Sequence, residues 1–311
     1  MTSISPRIAL LMTLPPLLWA GNSVVGRLFV GSMPPLTLNF LRWALAALLI
    51  LPFAWRLLRK PREILARWQH LLALGLLGVG SYNSLQYMAL VTSTPINVTL
   101  IAASMPVWML LVGALRYGEH PTRRQIVGAV LSIVGVLLVI ARGSFETLTA
   151  VRFVQGDFYM LAAIVAWAFY SWLLARPPAS MRAPQRPDWG WAEFLLVQMI
   201  FGLLGSGVAA GFEFALSDAR VVWNGWVIAA LFFLAIGPSI IAYRCWGLGV
   251  ATGGPTLASF FGNLTPVFTA VLSAIVLAEP PRWYHGAAFV LIVAGIMVSS
   301  GAWRRRHATT P

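Results

Sequence analysis

Two stretches of this sequence carry the same pattern of side chains, one suited to holding a small organic molecule. Trp19, Asn22, Ser23 and Gly26 fall at i, i+3, i+4 and i+7, which puts them on one face of a helix. Trp167, Tyr170, Ser171 and Leu174 repeat that spacing. Indole and phenol rings offer stacking area, while Asn and Tyr offer hydrogen-bond donors and acceptors. That chemistry is recognition and not bond-making. The competing reading is helix packing, because Ser and Gly allow close approach and Asn can bond a neighbour.

Two further stripes extend the set. Tyr82 and Gln86 lie one turn apart, and a shift of 157 residues carries them onto Ser239 and Tyr243. Ser259, Gly262, Asn263 and Pro266 form another, with Thr99, Ala102, Ala103 and Pro106 as counterpart. There the proline removes a backbone donor and frees a carbonyl one turn earlier. The candidate binding residues are therefore Trp19, Asn22, Tyr82, Gln86, Trp167, Tyr170, Ser239, Tyr243, Ser259 and Asn263. Asn83 and Tyr87 fall on a neighbouring face and rank below them.

Composition dictates the elements that carry these residues. Of 311 residues, 59% are hydrophobic and 10% charged, with a mean hydropathy of +0.79. An ordinary soluble domain has about 25% charged residues, so a soluble enzyme or a disordered regulator is excluded. Ten apolar runs stand out, at roughly 8–30, 37–55, 70–91, 95–115, 125–141, 157–175, 190–212, 223–243, 254–277 and 285–302. A hydrocarbon core about 30 Å thick needs about 20 helical residues. Runs such as Ala44–Leu51 and Ile126–Ile140 are apolar on every side, which means helix and not barrel strand. The expected fold class is an all-α integral membrane protein of ten transmembrane helices. Arg7 and the apolar run to Ala20 also have the layout of a signal peptide, but the later copy of this helix argues for a membrane span.

The net charge of +13 would suit a nucleic-acid binder, but its placement suits membrane topology. With the N-terminus inside, the inner segments hold most of the basic residues, among them Arg56, Arg59, Lys60, Arg62, Arg67 and Arg304–Arg306. The outer segments hold Arg27, Arg142, Arg152, Arg220 and Arg282. The excess puts both termini in the cytoplasm.

An internal repeat follows. At a shift of 160, Pro106 meets Pro266, Glu119 meets Glu279, Pro121 meets Pro281 and Gly135 meets Gly295; at 148, Trp19–Ser23 meets Trp167–Ser171. The halves, 1–145 and 146–311, hold five spans each. An odd number inverts the second half relative to the first, the architecture of many secondary transporters, which bind substrate near the midplane at the repeat interface.

On these residues the chain resembles the drug/metabolite transporters of the EamA type. The features shared are Trp19-Ala20-Gly21-Asn22-Ser23, Arg42-Trp43-Ala44, Glu119 and Glu279 after spans 4 and 9, and the glycine-rich spans 5 and 10. Within that family it is most similar to the YddG-type bacterial exporters of aromatic and other neutral amino acids. The resemblance implies a ten-helix basket around a central cavity, a place in the inner (plasma) membrane, and outward transport by alternating access. A neutral metabolite and the lipid bilayer are the expected partners. The apolar outer faces suit lipid and a second subunit equally, so the oligomeric state stays open, a monomer included.

Absences narrow the chemistry. The lone Cys245 rules out an intramolecular disulfide, and no cofactor or metal site is expected. No Asp or Glu lies deep in a span, whereas proton-driven carriers keep such a relay, so downhill facilitated export is expected. Arg42, about five residues into span 2, is expected to snorkel to the outer surface. With no central cationic cluster, phosphorylated cargo is disfavoured and a neutral zwitterion fits. Prolines 15, 16, 34, 35, 121, 280 and 281 are expected at helix starts and stops. Other cargoes (nucleobase, nucleoside, vitamin or drug), a channel, or an intramembrane enzyme are the alternatives.

Overall fold

The computed structural model describes residues 6–29, 31–93, 98, 101–141, 143–150, 154–218, 220–276 and 282–300. Glu279, Pro280, Pro281, Thr99, Arg142, Arg152 and Arg304–Arg306 lie outside these. Among the described residues the structure is helical, without strands. In chain order the main elements are α1 (Pro6–Leu28), α2 (Pro35–Ala54) and α3, which runs Trp68–Leu74, a π-helical turn Gly75–Ser81, and Tyr82–Thr92. Next come α4 (Met105–Tyr117), α5 (Arg123–Ile140), α6 (Gln155–Ala175) and α7 (Trp191–Leu216). α8 comprises Gly225–Leu234, a second π-helical turn Ala235–Ile241, and Ala242–Gly262; α9 is Thr265–Val276 and α10 is Trp283–Ser300.

Among the described residues, five helical stretches are long and apolar enough to cross a bilayer: Ile8–Leu28, Pro35–Arg59, Gln155–Ala175, Trp191–Leu216 and Gly225–Gly262. Met105–Tyr117 and Trp283–Ser299 are shorter apolar helices. Leu10, Leu48, Leu115, Val208 and Phe212 are exposed on the outside, an arrangement that suits hydrocarbon and would be costly in water.

Two expectations need correction. Pro15 and Pro16 lie inside α1, not at its edge. And the expected gap between 243 and 254 is helix as far as Gly253; the helical backbone breaks at Gly254, the expected start of span 9, whose φ of +80° is a conformation that an L side chain rarely adopts, and a further helical stretch runs on to Gly262. Pro34 and Pro35 do start a helix, at the N-cap and first turn of α2.

Structural irregularities recur at one offset. The π turns at 75–81 and 235–241 are 160 residues apart. So are the helix breaks at Ala103–Ser104 and Asn263–Leu264, each followed by a proline in the first turn of the next helix. Aligned on these π turns, α3 and α8 differ by 160 and not by the expected 157, and Asn83, not Gln86, falls opposite Tyr243.

The helices that matter for the centre are pinned by specific contacts. Glu213, near the end of α7, caps α2: its carboxylate accepts from the Leu36 and Thr37 amides at 3.0 and 2.7 Å and from the Thr37 hydroxyl at 2.8 Å. A carboxylate suits unbonded amides at the positive end of a helix. The inner face of α2 is then Asn39, Arg42, Trp43, Ala46 and Ile50, none more than 2% exposed. α7 meets α3 backbone to backbone, because a Cβ on Gly75 would lie 2.6 Å from the Gly202 nitrogen. α5 and α10 cross at Gly128 and Gly295; a Cβ on either would lie 2.7 Å from the other's carbonyl oxygen. Those glycines therefore serve contact within the chain.

Candidate functional site

The centre of the bundle is built from α1, α2, α3, α6 and α8. Trp167 lies in the middle of an aromatic cluster and is 1% exposed. Its ring centroid is 5.2 Å from Trp19 and 4.9 Å from both Tyr82 and Tyr170. It is also 5.3 Å from both Tyr243 and Trp246. The pairs are tilted or edge-to-face, the arrangements favoured by aromatic quadrupoles.

Next to this cluster is a buried cation. Arg42 is 0% exposed, so the expectation that it snorkels to the surface is overturned. Its Nη1 donates to Asn22 Oδ1 at 2.9 Å, Asn83 Oδ1 at 3.2 Å and the Tyr87 hydroxyl at 2.7 Å. Nε and Nη2 both donate to Ser239 Oγ, at 3.1 and 2.8 Å. The Trp43 and Tyr87 rings lie 5.1 and 5.9 Å from the guanidinium carbon, within range for a cation–π attraction. Snorkelling needs an open path to water, and α1 and α3 close that path with Asn22 and Tyr87.

The local sequence explains how Ser239 plays its part. Pro238 lies inside the second π turn and has no N–H to give to the turn before it. One residue on, the Ser239 hydroxyl donates to the Leu234 carbonyl, five residues back, at 2.8 Å. With its proton so used, both Ser239 lone pairs are free to accept from Arg42.

The π turns contribute two more acceptors. The Tyr243 hydroxyl donates to the Gly78 carbonyl. Trp19 Nε1 donates to the Pro238 carbonyl at 3.3 Å. Gly78 and Pro238 are equivalent under the 160 offset. π-helical turns occur often at functional positions, and here each supplies a backbone oxygen to an aromatic donor from the other half of the sequence.

Of the residues singled out from sequence, Trp19, Asn22, Tyr82, Gln86, Trp167, Tyr170, Ser239 and Tyr243 come together here. Gln86 accepts from Asn22 at 3.4 Å, and Tyr170 donates to Gln198 at 3.0 Å. Ser259 and Asn263 do not join them. They lie beyond the Gly254 kink, where Ser259 bonds the Thr256 carbonyl of its own helix and Asn263 sits at the break before α9. Sequence reasoning missed Arg42, Trp43, Trp246 and Gln198 and ranked Asn83 and Tyr87 too low. Asn39, Arg42 and Trp43 fall at i, i+3 and i+4, so the face rule that found Trp19 and Asn22 could have found them.

Cavities approach the centre from opposite ends. One of about 440 Å³ runs in from Arg186, Trp189 and Arg244 and ends on Tyr170, Gln198 and Tyr243, a size suited to a small-molecule ligand. Another of about 240 Å³ lies at the α1–α2 loop and ends on Leu38 and Tyr87. Between them the buried aromatic layer and Arg42 close the bundle. A third cavity of about 630 Å³ lies beside Gly253, Gly254 and the Glu119–Arg176 ion pair. Among the described residues, no group of His, Cys, Asp or Glu is placed to hold a metal ion.

Fold and centre together define a helical membrane protein with a solvent-excluded layer between two vestibules. The model of the EamA-like transporter family matches residues 6–141 and again 154–301, and the chain belongs to that family. It is 27% identical over 293 residues to an uncharacterized transporter of Archaeoglobus fulgidus, covering 94% of this chain and 96% of the relative. It is 26% identical to the aromatic amino acid exporter YddG of Ancylobacter novellus, covering 88% and 91%. A probable terminal-alkyne amino-acid exporter of Streptantibioticus cattleyicolor is 28% identical, with 81% and 80% covered. A crystal structure with 23% identity superposes at a TM-score of 0.71, covering 96% of this chain and 98% of the other, and shares the fold.

Proposed function

We propose that this protein is a secondary carrier of small neutral metabolites, first of all aromatic and other neutral amino acids, and that it exports them by alternating access. The observation that carries this reading is the closed aromatic layer around Trp167, reached by separate cavities from the two ends of the bundle. A carrier needs a site that each side can reach in turn, and a channel needs a continuous polar path instead. The names of the Ancylobacter and Streptantibioticus relatives support amino acids as cargo.

On this reading the chain crosses the inner membrane ten times, with both termini in the cytoplasm, as two inverted halves. The paired π turns, the paired helix breaks and the two matches to the family model support that arrangement. The cavity at the 176–190 loop is then the cytoplasmic vestibule. The protein does no bond chemistry. Transport is downhill, since Asp157, Glu193 and Glu213 all cap helix ends. The test is uptake and efflux of labelled threonine, methionine and phenylalanine in proteoliposomes, with and without an imposed proton gradient. Flux driven by the substrate gradient alone is expected. Flux that requires the proton gradient overturns the downhill mechanism, and no flux of any amino acid overturns the cargo.

A further inference from the structure

We infer that Arg42 is a carboxylate-binding residue, so that the cargo carries a carboxylate which Arg42 neutralises at the centre of the membrane. The inference deepens the carrier reading above and rests on it for the location of the site.

Arg42 is fully buried and always charged, yet every group it touches is neutral: Asn22, Asn83, Tyr87 and Ser239. Among the described residues the ion pair is Glu119–Arg176, elsewhere in the molecule. The buried or capping carboxylates are committed to helix ends: Asp157 to Val154 and Ser93, Glu213 to Leu36 and Thr37. A cation held in a low-dielectric interior without an anion is costly, and in membrane proteins such a residue marks a functional site by default.

A second, independent observation points the same way. Trp43 and Trp167 are 0% and 1% exposed, and neither indole nitrogen has an acceptor. Buried donors are normally satisfied, and an exception calls for a reason. Trp43 adjoins Arg42 in sequence and lies beside its guanidinium. Trp167 is at the centre of the ring cluster. Asn39 Oδ1, on the same face of α2, is an acceptor without a partner but carries no charge; what the centre lacks is an acceptor that reaches these two indoles, and negative charge. A carboxylate supplies both, and a guanidinium fork matches its two oxygens.

The geometry also gives the route. The larger vestibule ends on Tyr243, and the Tyr243 ring is 4.8 Å from Trp43. Two rings, Tyr243 and Trp43, separate the cavity from the charge. A carboxylate arriving there replaces neutral acceptors that come from α1, α3 and α8, so binding loosens contacts between the helices that must move.

The test uses three probes of one shape with the full-length protein: phenylalanine, 3-phenylpropanoate, which lacks the ammonium, and 2-phenylethylamine, which lacks the carboxylate. Binding is read by quenching of tryptophan fluorescence and by thermal shift. Both carboxylates are expected to bind at least about tenfold more tightly than the amine, the scale of one charge-assisted hydrogen bond. Arg42→Gln is expected to abolish the preference, and Arg42→Lys to keep part of it. If Arg42→Gln fails to fold, the probe series on the unaltered protein still decides. Amine binding equal to phenylalanine binding overturns the Arg42 assignment and leaves the amino-acid reading standing. Binding of 3-phenylpropanoate without phenylalanine sinks the amino-acid reading and upholds Arg42. Binding of none of the three overturns the inference.

Discussion

Trp43 and Tyr243 meet edge to face, with ring centroids 4.8 Å apart and planes at 82°. Trp43 lies against the Arg42 guanidinium and Tyr243 lines the larger vestibule. This pair therefore separates the buried charge from the larger vestibule.

Tyr243→Phe keeps that wall and removes the hydroxyl that bonds the Gly78 carbonyl. A buried carbonyl left bare costs about 1–3 kcal/mol. The expected result is a lower melting temperature in detergent with phenylalanine binding retained. An unchanged melting temperature contradicts a role for the π-turn carbonyl in holding α3 to α8.

Trp167→Ala removes the ring that the other aromatics pack against. Truncating a buried Trp costs about 3–5 kcal/mol. Phenylalanine flux in proteoliposomes is expected to fall at least about tenfold, the equivalent of 1.4 kcal/mol at the site. Trp167→Phe is expected to restore part of it. Full flux in a folded Trp167→Ala protein removes the cluster from the transport path.

Ser239→Ala leaves two donor groups of Arg42 without a partner and takes one donor from the Leu234 carbonyl. A loss of about 1–3 kcal/mol is expected from unmet hydrogen bonding at a charged group. Ser239→Thr keeps the hydroxyl and is expected to sit closer to the unaltered protein. Equal melting temperatures for the Ala and Thr variants would dismiss the proton arrangement argued above.

Glu213→Gln keeps the shape of the α2 cap and removes its charge. A charged group at a helix N-terminus contributes about 0.3–1 kcal/mol, and up to about 2 where partly buried. The expected outcome is a modest fall in melting temperature, with a further fall in Glu213→Ala, which also removes the acceptors for Leu36 and Thr37. Glu213→Gln melting with the parent argues against the charge as a contributor.

Gly202→Ala and Gly211→Ala lie on the same helix and should behave differently. A Cβ at 202 would meet the Val79 Cβ at 2.4 Å, while one at 211 meets nothing within 4 Å. Overpacking costs about 1–3 kcal/mol, whereas alanine in an open helical position gains up to about 1 kcal/mol over glycine. Melting temperatures of the two proteins should move in opposite directions.

The helices were legible because apolar run length is a local property that one stretch of sequence carries alone. The Trp19 and Trp167 stripes were legible because face periodicity is local too. Arg42 was misread because its depth was judged along its own helix. What buries it is Asn22 and Tyr87, from α1 and α3, and no feature of span 2 announces them. The partnership of Gly128 with Gly295, and the capping of α2 by Glu213, are likewise contacts between distant stretches. The shift of 157 between α3 and α8 rested on small apolar matches, Ala73 with Ala230 and Gly80 with Gly237, and such residues match easily; the π turns lie 160 apart.

The bonds from Tyr243 to Gly78 and from Trp19 to Pro238 have a consequence for how the centre opens. Water can take the place of either aromatic donor without leaving the oxygen bare, so exchanging partners there changes the enthalpy little. Resistance to opening then resides in keeping the rings dry. The closed layer behaves as a hydration valve: it yields when water can enter between indole and phenol faces. Hydrostatic pressure and excluded osmolytes should shift it more than salt does.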